Sequence, residues 1–75
     1  MKVRGGEDVQ VGDFIRILAR AVNDGPPVGA VLPVLKIATG SIYVPWVRNE
    51  SGMYGKMPMN IERVGDADTI MDLGL

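Results

Sequence analysis

The sequence predicts one small all-β domain, built from five short strands that close into a barrel. Three observations lead to this fold class. Ten glycines and five prolines divide the 75-residue chain into short segments, which favours strands because both residues interrupt helices. The segments between these turns recur at intervals of about 8–12 residues, a spacing typical of barrels and sandwiches. Apart from a short stretch near the C-terminus, no window carries the apolar periodicity of a helix.

The first two predicted strands flank the strongest loop signal in the chain. Residues 11–13 are typical of a turn, and the first strand follows over 14–21. Residues 23–27 predict a loop, since their two prolines fix φ and their glycine can adopt a positive φ. The second strand covers 30–38 and contains Pro33, which indicates either an edge position or a bulge where the strand bends.

The remaining strands complete the predicted barrel. Thr39-Gly40 predicts a tight turn into a third strand over 41–47, and this is the clearest hairpin of the sequence. A loop over 48–52 leads to a fourth strand over 53–57, and a fifth covers 60–64. Residues 11–64 therefore form the predicted barrel, residues 1–10 an N-terminal arm, and residues 65–75 an acidic C-terminal tail or short helix.

The C-terminal segment has two interpretations. Asp66 is a suitable N-cap for a short helix that ends at Gly74, with Ile70, Met71 and Leu73 as its apolar stripe. So short a helix is unstable alone, so it must dock to be ordered. It either packs on its own barrel or is a disordered acidic-apolar peptide offered to another protein.

A family resemblance covers residues 11–64. Val11-Gly12-Asp13-Phe14-Ile15-Arg16-Ile17, followed by Gly25-Pro26-Pro27-Val28-Gly29-Ala30-Val31, resembles the opening of SH3-like and KOW-like barrels. The segment 55–64 is similar to their closing segment, in which a proline-containing 3₁₀ turn precedes the last strand. The resemblance implies a five-stranded SH3-like barrel. It implies no single function, because such barrels bind proline-rich peptides, nucleic acids and other proteins.

The residue types present argue against catalysis. The sequence has no histidine and no cysteine, which removes the commonest general base, the thiol nucleophile and the thiolate metal ligands. Ser41 and Ser51 have no base nearby in the sequence. We therefore expect a non-catalytic protein without metal or cofactor.

Hydropathy and cysteine content predict the cellular location of the protein. The N-terminal residues lack the apolar segment of a signal peptide, and no stretch approaches the roughly 18 apolar residues that span a bilayer. The absence of cysteine suits a reducing compartment. We expect a cytoplasmic protein that is not inserted in a membrane.

The apolar content predicts a protein-binding surface. Hydrophobic residues make up 47% of the sequence, more than the interior of so small a barrel should need. If Ile15, Ile17, Ile42 and Val44 point inward, the opposite side of the strands exposes an apolar patch. Its predicted members are Phe14, Leu18, Leu32, Val34 and Tyr43. The expected partner is another protein or a second copy of the chain, which suits a small bacterial or phage accessory protein.

The alternative is a nucleic-acid-binding barrel that uses basic residues. Its predicted contacts are Arg16, Arg20, Lys36, Arg48 and Lys56, with Tyr43 and Trp46 available for base stacking. Charge argues against this alternative. Residues 1–64 carry a net charge of only +2, residues 65–75 carry −3, and the sequence pI is about 5.1. RNA or DNA is therefore the less favoured partner.

Overall fold

The computed structural model describes residues 1–20, 25–46 and 52–72. Their elements are, in chain order, β1 (Phe14–Ile17), β2 (Val31–Pro33), β3 (Lys36–Ala38), β4 (Ser41–Pro45), β5 (Met53–Lys56), a 3₁₀ turn (Pro58–Asn60), β6 (Ile61–Gly65) and α1 (Ala67–Asp72). The predicted mostly β character is confirmed, and so is a short C-terminal helix. Predictions that fall on residues 21–24, 47–51 and 73–75, such as the helix end at Gly74, lie outside the described residues.

The strands form two antiparallel sheets. The first has the order β2-β1-β6 and the second the order β3-β4-β5, with three strands in each. No strand pairing joins the two sheets into a ring within the described residues. The prediction of a closed five-stranded barrel is therefore wrong for this part of the chain.

The described residues form six strands, one more than predicted, because the predicted second strand breaks after Pro33 into β2 and β3. The Val34 N–H donates to the carbonyl oxygen of Asp13, next to the first sheet, at 2.8 Å. The following N–H, that of Leu35, donates to the carbonyl oxygen of Tyr43 in the second sheet, also at 2.8 Å. Two consecutive amides thus bond to different sheets, and the chain passes from one sheet to the other here. The bend that Pro33 indicated is confirmed.

The hairpin between β3 and β4 is confirmed as well. Ala38 pairs with Ser41, which leaves Thr39 and Gly40 as a two-residue turn. Both have positive φ, 52° and 76° respectively, as the type I′ turn requires. This turn has the backbone twist that suits antiparallel strands.

Among the described residues, nine apolar side chains are buried, and they come from both sheets, the link between β2 and β3, the N-terminal arm and α1. They are Val3, Val9, Ile15, Ile17, Val34, Ile42, Val44, Ile61 and Ile70. The arm folds back on itself, with Lys2 bridged to Asp8, so its two valines extend the apolar interior. These added buried side chains matter for stability, because a chain this small buries only a limited apolar area.

Helix α1 docks on its own domain. The Thr69 N–H donates to Asp66 Oδ1 at 2.8 Å, which caps the helix. This hydrogen bond lowers the pKa of Asp66 below its ordinary value. Ile70 is buried, and α1 packs against β6. Of the two interpretations of the tail, docking on the same chain is the observed one for residues 67–72.

Candidate protein-binding surface

The predicted apolar patch is only partly accessible. Val34 is 1% exposed and belongs to the core, so the prediction of its exposure is wrong. The break after Pro33 explains the error, because it reverses the alternation of sides and turns Leu35 outward instead, to 44% exposure. The other predicted members are half-buried: Phe14, Leu18, Leu32 and Tyr43.

These residues do not share one surface. Phe14 begins β1, whereas Leu18 lies just beyond its other end. Leu32 pairs with Ile15 and packs against the core. Tyr43 lies in the second sheet. Among the predicted members, only Leu18 lies at the C-terminal end of β1.

Six large apolar side chains are exposed in the described part of the chain, and they divide between the two ends of β1. Val28, Met57 and Met59 lie near its C-terminal end, where the chain continues as Leu18. Near its N-terminal end lie Val11, Leu35 and Met71.

Hydrogen bonds hold three segments side by side at the first of these ends. The Leu18 N–H donates to the carbonyl oxygen of Asn60 at 2.8 Å, which places the 3₁₀ turn on one side of Leu18. On the other side, the Gly29 N–H donates to the carbonyl oxygen of Ile17 at 2.8 Å. We call the apolar residues on these adjacent segments the methionine end: Leu18, Val28, Met57 and Met59.

The methionine end combines a fixed backbone with flexible side chains. The Asn60 N–H donates to the carbonyl oxygen of Met57 at 3.0 Å and closes the turn, while Pro58 fixes one φ angle. Met57 and Met59 are 62% and 58% exposed, and Val28 is 62% exposed. Thioether side chains adapt to many apolar shapes, and they are common on protein-binding surfaces.

Lys56 connects the methionine end to the second sheet. It is 3% exposed, and its Nζ donates to the carbonyl oxygen of Ala19 at 2.8 Å. The same ammonium lies 5.9 Å from the ring centre of Tyr54. Burial lowers the pKa of Lys56, and the nearby charge of Arg20 lowers it further. This lysine therefore orients the segment after β1 and is not open to solvent.

The predicted nucleic-acid contacts do not form one free basic face. Lys56 is buried, so its prediction as an accessible contact is wrong. Arg16 forms an ion pair with Glu62 at 2.7 Å across β1 and β6. Lys36 lies over the Tyr43 ring at 5.6 Å, in the second sheet. Arg20 is exposed, and Arg48 lies outside the described residues.

A charged cleft adjoins the methionine end. Its volume is about 250 Å³, and it is lined by Arg4, Gly5, Glu7, Glu62 and Arg63. Two of these charges are already paired, since Glu62 accepts from Arg16 and the Arg63 Nε donates to Asp13 at 3.1 Å. Arg4 connects the cleft to the methionine end, because its N–H donates to the carbonyl oxygen of Pro58 at 3.3 Å.

Sequence reasoning missed most of the methionine end. Met57, Met59 and Val28 lie in turns, where strand alternation predicts nothing about exposure. A usable signal was present, because Met57 and Met59 flank a proline in a segment interpreted as a 3₁₀ turn. Apolar side chains on both sides of such a short turn cannot all reach the core.

Comparison with the models of known protein families, with curated proteins and with solved structures finds no match. The described residues contain no helix long and apolar enough to cross a membrane. They also contain no group of three or more side chains that could hold a metal ion.

Proposed function

We propose that this chain is a small non-catalytic interaction module that binds a protein partner, either another protein or a second copy, through its methionine end. The observation that carries the proposal is that three exposed apolar residues lie on segments that backbone hydrogen bonds hold beside Ile17 and Leu18. Single exposed apolar residues are ordinary on protein surfaces. A group on adjoining backbone segments is typical of an interaction site.

Physical chemistry supports this use of the surface. Burial of apolar area in an interface contributes roughly 25 cal/mol per Å² before the costs of association. A backbone hydrogen bond closes the turn at Pro58 and the proline fixes one φ, so the backbone there should lose little entropy on binding. Nucleic-acid binding receives less support, because Lys56 is buried and Arg16 is paired.

We also propose that the domain has an SH3-like arrangement with an incompletely closed barrel. Three features support this proposal: β1 lies beside the last strand β6, the predicted second strand bends between two sheets, and a 3₁₀ turn containing Pro58 precedes β6. A role as a bacterial or phage accessory protein is the corresponding biological proposal.

Site-specific photo-crosslinking tests the binding proposal. A benzophenone amino acid replaces Met59 in one variant and Met71 in a control variant, both expressed in the native host. Met71 is a suitable control because it is also a highly exposed methionine, at 76%, but lies near the other end of β1. We expect a defined protein adduct from position 59 that position 71 does not give.

The identity of the adduct distinguishes a second copy from another protein. An adduct between two copies should be accompanied by self-association in sedimentation, and Val28→Ser should weaken that association. Val11→Ser is the matched control, since Val11 and Val28 are both 62% exposed. Absence of an adduct at position 59, or the same adducts from both positions, would refute the proposal.

A further inference from the structure

We propose that Met57 and Met59 are sites of reversible oxidation, and that their conversion to sulfoxides weakens binding at the methionine end. The effect on binding rests on the function proposed above and adds a means of regulation to that surface. Three features of the chain support it: the exposure of the two thioether side chains, their independence from the fold, and the change in polarity that oxidation brings.

Methionine is the only residue type of this sequence that carries sulfur. The chain has five methionines and no cysteine, so no thiol of its own competes for a peroxide. Met57 and Met59 are 62% and 58% exposed, whereas Met1 and Met53 are half-buried. Because an oxidant must reach the thioether, the two methionines beside Pro58 should react before the half-buried pair.

The reaction is a two-electron oxidation that needs only a hydroperoxide. A lone pair of the thioether sulfur attacks one oxygen of hydrogen peroxide, the O–O bond breaks, and a proton shift releases water. The sulfur gains one oxygen and becomes a sulfoxide, while the peroxide is reduced. Methionine sulfoxide reductases reverse the step, since they release the oxygen as water and take two electrons from thiols, which become a disulfide.

Oxidation of these two side chains leaves the bonds of the turn in place. The Asn60 N–H donates to the carbonyl oxygen of Met57, and the Ile61 N–H donates to that of Pro58. Both are backbone hydrogen bonds, and neither thioether belongs to the buried core. Met1, in contrast, packs against the core. Mild oxidation should therefore change the surface of the domain without unfolding it.

A sulfoxide is unsuited to the apolar interface that a thioether can form. Its oxygen is a hydrogen-bond acceptor, and burial of such an atom without a donor is unfavourable. The other members of the methionine end, Leu18 and Val28, have aliphatic side chains and offer no donor. Oxidation of Met57 and Met59 makes two of the four side chains of this surface polar. Affinity for an apolar partner surface should fall by at least about tenfold.

Met71 provides an internal control. It is 76% exposed, more than Met57 or Met59, but it lies in α1 near the other end of β1. It should oxidise at least as fast as those two methionines, yet its sulfoxide should leave binding at the methionine end unchanged. Accessibility to oxidant and importance for binding are thereby separated within one chain.

Peptide mass spectrometry after graded treatment with hydrogen peroxide measures the order of oxidation. We expect Met57, Met59 and Met71 to react at least about threefold faster than Met53. Circular dichroism and thermal unfolding, recorded at the lowest dose that oxidises these three, should match those of the untreated protein. Equal rates for Met53 and the pair beside Pro58, or loss of the fold at that dose, would overturn the proposal.

Crosslinking measures the effect on binding. A benzophenone amino acid replaces Val28, which leaves both methionines of the turn in place. The purified variant is treated with hydrogen peroxide, freed of oxidant, and irradiated in an extract of the native host. We expect the adduct formed without oxidant to decrease severalfold, and to recover after treatment with the reductases for both sulfoxide epimers.

Leucine variants identify the methionines responsible. The double change Met57→Leu and Met59→Leu removes both thioethers at similar volume, so its adduct should survive treatment with peroxide. Met71→Leu is the matched control, and its adduct should still decrease. Circular dichroism checks that each variant is folded before it is oxidised.

The redox proposal and the proposed function fail in different ways. An adduct that persists when Met57 and Met59 are fully oxidised would overturn the redox proposal and leave the protein-binding surface intact. The same conclusion follows if the double leucine variant loses its adduct on oxidation, because another residue is then responsible. If the untreated protein gives no adduct from position 28 or position 59, the proposed function itself fails, and the redox proposal fails with it.

Discussion

Lys56 Nζ lies 2.8 Å from the carbonyl oxygen of Ala19 and donates a hydrogen bond to it. Lys56 ends β5 in the second sheet, whereas Ala19 follows β1 of the first sheet. The bond therefore joins the two sheets beside the methionine end. Leu18, immediately before Ala19, is held at the same place by its own bond to Asn60.

Replacement of this lysine should destabilise the fold. Lys56→Met keeps most of the side-chain volume but leaves the Ala19 carbonyl without its donor. A lost hydrogen bond to a part-buried carbonyl costs about 1–2 kcal/mol in the free energy of unfolding. Urea unfolding monitored by circular dichroism measures this change.

Lys36→Met is the matched control, because Lys36 also lies over a tyrosine ring but is exposed. Its effect should stay within about 0.5 kcal/mol. An increase in stability for Lys56→Met would contradict the prediction. It would mean that the cost of burying the ammonium exceeds the contribution of its hydrogen bond.

The lowered pKa of Lys56 predicts a pH dependence with a definite sign. Its pKa in the folded chain lies below the ordinary value of 10.5 because of burial and the Arg20 charge. Between these two pKa values the unfolded chain binds more protons than the folded chain, so stability rises with pH in that window. Below the folded pKa the lysine is protonated in both the folded and the unfolded chain, so it no longer contributes to the pH dependence.

The comparison with Lys56→Met isolates this contribution from that of the other titrating groups. The free energy of unfolding of the unmodified chain, minus that of Lys56→Met, should increase as pH rises toward 10.5. Urea titrations at a series of alkaline pH values provide the measurement. A difference that is constant or decreases with pH would contradict the assigned direction of the shift.

The sequence predicts the fold well wherever local rules decide. Glycines and prolines predict where the turns lie. Thr39-Gly40 correctly predicts the hairpin of β3 and β4, because such a turn depends only on the pairing of the two residues that flank it. Pro33 marks the bend, but whether the strand continues beyond it depends on the partners of Val34 and Leu35. Those partners, Asp13 and Tyr43, are distant in sequence, so the division into two sheets could not be predicted locally.

The candidate surface is less predictable for the same reason. Strand alternation assigns sides only within one uninterrupted strand. Because the strand breaks after Pro33, the alternation predicted the wrong side for Val34. Lys56 was expected at the surface because lysine is rarely buried. Its burial depends on the Ala19 carbonyl and on Tyr54, which the fold brings to it. The residues of the methionine end become neighbours only through hydrogen bonds between separate turns.

Gly25 should not tolerate a side chain. A Cβ atom at this position would lie 2.9 Å from Cζ of Tyr54, which is closer than real contacts allow. Gly25→Ala should therefore lower the free energy of unfolding by about 1–3 kcal/mol, the usual cost of overpacking. Thermal and urea unfolding provide the measurement.

A double-mutant cycle tests the cause of this effect. In a Tyr54→Leu background the ring is absent, so Gly25→Ala should cost less than in the unmodified chain, with a coupling of about 0.5–3 kcal/mol. Equal costs in both backgrounds would mean that the added methyl group acts through the backbone and not through Tyr54.

Thr39 offers a route to a more stable domain. Its φ of 52° lies in the left-handed region, which a β-branched residue adopts at a cost. Asparagine followed by glycine is favoured in type I′ turns, so Thr39→Asn should raise the free energy of unfolding by roughly 0.5–1 kcal/mol. Gly40→Ala is the opposing control, since alanine at a φ of 76° should destabilise the same turn. Urea unfolding of the two variants beside the unmodified chain measures both shifts. A neutral or destabilising Thr39→Asn would indicate that the threonine side chain contributes to the turn through a contact that asparagine does not reproduce.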